Sequence, residues 1–259
     1  MTSEHIDELF ARTLVGDYED EAPWKAELRR IGSRRVFDRA VEWCDASDPM
    51  IRARGLDVLA QIGRTADHPS NSFPDESFSV VQRVLRVERE IRPLDSAIAA
   101  LGHLDNPAGI PLILQYRSHP DSEIRFSVAC ALGSFPNDAR SAECLLVLMT
   151  DEDEEVRDWA TFGLGVLGEL DSTEIRDALF QRLSDPNEDA RQEAMAGLGK
   201  RRDRRVLPLL VATLEQSDVA IPAIEAARDM LDMKGDRGNW GADDYLSALR
   251  NRFGLQSSE

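Results

Sequence analysis

The side chains able to do chemistry in this sequence are few, and their spacing excludes most of what they could do. Four histidines, His5, His68, His103 and His119, fall on separate stretches, with no His-x-x-x-His, His-Glu or Cys-x-x-Cys pair to start a zinc or iron site. Cys44, Cys130 and Cys144 are odd in number and lack metal-type spacing. They read as small apolar residues of a reducing compartment. No Gly-x-Ser-x-Gly turn or Cys/His dyad offers a nucleophile, and Gly163-Leu164-Gly165 lies inside a helical pattern rather than a phosphate loop. Carboxylates pair by chance in so acidic a chain, and none is assigned as acid or base. The expectation is a non-enzymatic protein with no catalytic residue, no metal and no cofactor.

Binding chemistry is better supplied. Trp159 and Phe162 stand three residues apart, on one side of a helix, bordered by Asp158, Glu193 and the run Asp151-Glu152-Asp153-Glu154-Glu155. Exposed, two rings with an acidic rim would form a hot spot for a protein partner; covered by a neighbouring helix or loop, they would be core. The acidic run loads negative charge onto a helix start, which the macrodipole favours, and would also steer a basic partner. The one basic cluster, Lys200-Arg201-Arg202-Asp203-Arg204-Arg205, reads as a solvated rim in a short turn.

The formal charge of -17 is concentrated in the middle of the chain, where residues 101–200 hold 19 acids against 8 bases. Such a surface repels phosphate backbones, so nucleic acid is not an expected ligand. The N-terminus has no basic flank or apolar core of a signal segment, and no run of 18 apolar residues occurs. A cytoplasmic protein without membrane association is the expectation.

These side chains must be positioned by elements that repeat. Arg125 to Gly133, Arg157 to Gly165 and Arg191 to Gly199 each open with Arg, place Val or Ala three residues on and close with Leu-Gly. The closing glycines are 32 and 34 residues apart, and a weaker copy, Leu94 to Gly102, ends 31 residues upstream of the first. A fixed period in units too small to bury their own apolar face marks a stacked repeat protein. The periodicity predicts helices over 4–16 and 24–44, then from Pro49 behind Asp48, then over 76–87 and 94–103. Pairs follow at 110–117 with 122–134, 139–150 with 154–166, 173–183 with 188–200 and 206–216 with 220–233, before a closing helix at 242–253. Asp121, Asp153 and Asp185 are predicted to cap the second helices. An acidic loop with Pro23 is expected to end the first helix, and residues 64–75 read as an inserted loop. No strand-type alternation competes, so the fold class is all-α.

The recurring Asp, Arg, Ala and Leu-Gly positions resemble HEAT repeats, especially the short bacterial kind of the bilin lyases, over roughly residues 47 to 232. The resemblance implies a right-handed α-solenoid of antiparallel helix pairs, an armadillo/HEAT-like superhelix forming one domain. Residues 1–46 would be its N-terminal capping helices, 47–233 its repeats and 234–259 its C-terminal cap. It also implies that Asp121, Arg125, Asp153, Arg157 and Arg191 are structural, capping and knitting adjacent helices. One HEAT-repeat enzyme family, the deoxyhypusine hydroxylases, carries a His-Glu pair at the head of its second helices to hold two irons. The equivalent places here are Phe126-Ser127, Asp158-Trp159 and Gln192-Glu193. HEAT-like DNA glycosylases are similar in fold class but have basic grooves.

Turning about 100° per residue from each Arg puts the Val/Ala and Leu positions beside it at about 300° and 340°. This shared face is predicted to be the interior seam. Phe126, Asp158, Trp159, Phe162, Gln192 and Glu193 fall on the opposite side, where the copies differ. In the resembling family the second helix of each pair lines the concave side, so the candidate binding residues are Phe126, Asp158, Trp159, Phe162 and Glu193. The functional expectation is an interaction scaffold for a basic protein partner. Two alternatives are a bilin-lyase-like chromophore-handling factor and an inhibitor or immunity-type protein masking a toxin.

Overall fold

The structure, a computed structural model, describes residues 2–16, 18–233 and 240–255. Among them are fifteen α-helices and no strand. Contacts group the chain into two compact units, Met1–Phe135 and Pro136–Glu259.

The first unit opens with α1, Ser3–Arg12, capped by the Thr2 hydroxyl and burying Ile6, Leu9 and Phe10. The acidic stretch around Pro23 is not the loop expected from its composition. It belongs to α2, Tyr18–Ile31, with Pro23 inside at a cost of one backbone hydrogen bond. The single helix expected over 24–44 is two helices. Gly32 turns into the left-handed region at φ +54°, and the Ser33 hydroxyl restarts the chain as α3, Arg34–Cys44, by accepting from Val36 N. Asp48 caps α4, Pro49–Gln61, with Pro49 in its first turn. Residues 64–73 carry no helix, and Asn71 ties this loop to the Leu59 carbonyl at 2.8 Å. The second helices α4 and α6 (Ile91–His103) pack on each other, and α6 packs on α8, Ser122–Gly133. The helix α5, Pro74–Leu85, lies against α6. Ahead of α8 the expected helix is broken into 3-10 turns on either side of a short α7, Ile110–Ile113. Pro107 and Pro111 deprive that segment of two N–H donors.

In the second unit the helices are α9 (Ala139–Leu148), α10 (Glu154–Thr161), α11 (Thr173–Arg182), α12 (Glu188–Lys200), α13 (Leu207–Leu214), α14 (Ile221–Met230) and α15 (Ala242–Phe253). Residues 234–239 and 256–259 of the expected terminal cap lie outside the described residues. Here α10 packs on α12, and α12 on α14. The approach is close because small residues face each other: a Cβ on Gly197 would come within 2.8 Å of Gly165 Cα. Leu164 and Leu198, from the Leu-Gly pairs, are fully buried.

The repeated arginine does the same thing wherever it occurs. Arg52, Arg125, Arg157 and Arg191 each donate from Nη1 to the carbonyls six and five residues earlier, at 2.7–3.1 Å. Each guanidinium therefore fastens the loop before its helix to the helix itself. Asp121 and Asp153 cap α8 and α10, accepting from Glu123 N and from Glu155 and Val156 N. Asp185 departs from this pattern. Asn187 caps α12, because it stands four residues before Arg191 as Asp121 and Asp153 stand before Arg125 and Arg157; Asp185, two residues earlier, instead binds the guanidinium of Arg157.

Candidate functional site

The second-unit helices raise an aromatic pair beside carboxylates. Val156 and Ala160 of α10 point into the core and are fully buried, which turns Trp159 outward, 37% exposed. Its ring meets half-buried Phe162 edge to face, with centroids 5.7 Å apart and planes at 79°. Asp158 and the two rings, Asp189, Gln192 and Glu193 of α12, and Pro222 of α14 line a hollow of about 300 Å³. Ile221, next to Pro222, is 73% exposed and extends the apolar rim.

The floor of the hollow is electrostatically unusual. Asp158 Oδ1 and Glu193 Oε2 are both buried, and no donor group of another described residue reaches either. Sharing one proton between the two carboxyl groups satisfies both. Burial, then the charge of Asp158, pushes the Glu193 carboxyl up to about 9. Burial also raises Asp158, with Asp189, Glu155 and Asp185 adding to the effect and the bond to Glu193 opposing it. Two carboxylates this close cannot both ionise cheaply. Among the described residues no Lys or Arg is paired with Asp158, Asp189 or Glu193.

Beyond Phe162 the helix changes pitch. The helix expected over 154–166 becomes a π turn at Phe162–Leu167, the kind of local widening that often accompanies function. Arg201 holds it. This side chain is 7% exposed and donates to the carbonyls of Leu164, Gly165, Gly168 and Leu170 at 2.7–3.2 Å, and to that of Gly197 at 3.0 Å. Burial lowers its pKa. The basic cluster is therefore not a solvated rim throughout: Arg201 and Asp203 are buried, drawn in by carbonyls the π turn leaves free and by the Arg205 guanidinium respectively. Lys200 donates to Val166 O at 2.9 Å and pairs with Glu169 at 2.6 Å. These three residues with Ala196, Arg228 and Asp229 border a second hollow, about 470 Å³, further along the same stripe of α12.

Of the candidate residues, Asp158, Trp159, Phe162 and Glu193 share the first hollow. Phe126 lies on α8 of the first unit and is half-buried. The sequence-variable side of α8 is not free of packing, since Ser127 is buried with its hydroxyl on Asp95 of α6. Asp189 and Pro222 were missed. Pro222 lies in α14, which lacks the Arg and Leu-Gly marks that register the other helices. Arg201 was missed because its charge gave no sign that carbonyls would surround it. Among the described residues no group of three or more His, Cys, Asp or Glu is arranged to hold a metal ion, and no helix is long and apolar enough to cross a membrane.

Comparison with known proteins agrees with this architecture. A family model described as HEAT repeats matches residues 88–165 and 147–228. Protein YibA of Escherichia coli strain K12 is similar, 28% identical over 220 residues that cover 79% of this chain and 76% of YibA. Phycocyanobilin lyase subunit alpha of Thermosynechococcus vestitus is 27% identical over 164 residues, covering 63% of this chain and 59% of the subunit. The X-ray structure of Escherichia coli YibA shares the fold with a TM-score of 0.72 at 24% identity, covering 94% of this chain and 90% of that one. An archaeal HEAT-like repeats protein from Thermococcus onnurineus NA1 shares it with a TM-score of 0.55 at 16% identity, covering 95% and 98%.

Proposed function

Because the chain belongs to the HEAT-repeat family, we propose that it is a non-catalytic scaffold holding a basic protein partner on the face formed by α10, α12 and α14. Stacked repeats offer extended surfaces whose fixed seam leaves the other side free to vary. The observation that carries the reading is the exposed Trp159, braced by Phe162 and edged by Asp158, Asp189 and Glu193. An aromatic anchor within a charged border is the composition of an interface hot spot. The carboxylates favour a cationic partner by complementarity and by steering. A chromophore-handling role would rest on the name of the lyase subunits alone, and no feature of the hollow favours it.

The test is capture from native extract by the full chain and by the Trp159→Ala, Phe162→Ala double variant. The expected outcome is one or more basic proteins retained by the wild type and lost by the variant, with far-UV circular dichroism unchanged. Equal capture by both, or unfolding of the variant, would remove this face from consideration.

A further inference from the structure

We propose that the hollow between α10 and α12 seats one arginine side chain of the partner, its guanidinium against Trp159 and its fork on Asp158 and Glu193. This inference rests on the reading of a basic protein partner and names the group by which that partner is recognised.

Three observations converge on it. First, the two carboxylates that this unit buries outright have their own arginines: Asp185 takes Arg157 and Arg182, and Asp203 takes Arg205. Asp158, Asp189 and Glu193 have none among the described residues, so three acids with no cation of their own border one hollow. Second, Asp158 Oδ1 and Glu193 Oε2 are buried acceptors to which no other described residue donates. A guanidinium is acceptor-free and carries donors in a planar fork that matches two adjacent carboxylates, so it takes over the task of the shared proton. Third, the wall is aromatic, and a guanidinium stacks on an indole while an ammonium remains more strongly hydrated. A hollow of about 300 Å³ suits one such side chain rather than a folded segment.

The probe is the tripeptide acetyl-Gly-Arg-Gly-amide, with lysine and citrulline in place of arginine as controls. Binding is read on the full chain from the Trp159 indole N–H resonance, identified by its loss in Trp159→Phe. The arginine peptide is expected to shift that resonance to saturation, the lysine peptide more weakly, and the uncharged citrulline peptide not at all. Glu193→Gln, which preserves shape, is expected to weaken the arginine peptide about tenfold, or about 1.4 kcal/mol. Citrulline binding as well as arginine, no binding of the arginine peptide, or an unchanged affinity in Glu193→Gln would overturn the proposal. The two readings fail separately. Capture from extract that depends on Trp159, with arginine and citrulline peptides alike, leaves the scaffold and removes the arginine seat. An arginine-selective hollow with capture indifferent to Trp159 leaves the seat and removes the protein partner.

Discussion

Arg157 of α10 grips Asp185, ahead of α12, through two bonds, Nε to Oδ2 at 3.0 Å and Nη2 to Oδ1 at 3.3 Å. Arg182 adds a third contact at 2.7 Å, and Asn187 N donates to Oδ1 at 3.0 Å. The first unit repeats the device with Arg52 and Glu88, at 2.7 and 3.1 Å. An arginine that fastens its own loop with one nitrogen thus reaches the following repeat with the others. Stacking is specified by geometry as well as by apolar contact.

Removing the carboxylate should expose how much this junction contributes. Asp185→Ala leaves Arg157 and Arg182 facing a buried space, and losing one partner of such a cluster costs about 3–5 kcal/mol. Urea denaturation of the variant should show a midpoint lowered accordingly. Burial alone would raise the Asp185 carboxyl, but the Arg157 guanidinium and the Asn187 N–H more than reverse this and hold it below the ordinary carboxylate range. Its contribution is therefore present above the unfolded value near 3.8 and is lost as pH falls through the lower folded value. Asp185→Ala should accordingly flatten that part of the acid limb, and an unaltered limb would show the pair to be inert.

Arg201 offers a second test, because its guanidinium serves five carbonyls that no single ammonium can reach. Arg201→Lys keeps the charge and loses the fork, leaving buried acceptors unpaired at about 1–3 kcal/mol. Since four of those carbonyls, Leu164, Gly165, Gly168 and Leu170, lie in the π turn or just after it, the near-UV circular dichroism of the Trp159 and Phe162 pair should change while helicity persists. Retention of both the signal and the melting temperature would mean that the π turn holds itself.

Glu193 supplies the pH dependence. Between its ordinary value of 4.5 and about 9, the folded chain retains a proton that the unfolded chain has released. A folded state that binds more protons loses stability as pH rises through that window. Glu193→Gln is neutral throughout and still donates to Asp158. Its melting temperature should exceed that of the wild type by about 2–5 °C at pH 8 and match it at pH 4. A gain that is the same at both pH values would show that the two carboxyl groups do not share a proton.

The helical class and the pairing of helices were legible in the chain, because they follow from local rules. Arg125, Arg157 and Arg191 recur with Leu-Gly behind them, and the seam they mark holds Val128, Ala160, Leu164 and Leu198, all fully buried. Asp48, Asp121 and Asp153 cap the helices they precede, since a cap needs only a side chain and the next three N–H groups. The placement of Asp158, Trp159, Phe162, Gln192 and Glu193 along one hollow also follows from turning each helix about its seam. What the sequence by itself determined is therefore the helix and the face each residue occupies on it. Tertiary structure alone decided the rest: that Asp185 pairs with Arg157 of the preceding repeat, that Arg201 is enclosed by carbonyls, that α10 widens after Phe162, and that Asp158 meets Glu193 without a cation. Each of these depends on distances between residues about thirty positions apart, and a charge written in a sequence carries no record of which carbonyl or carboxylate will stand opposite it.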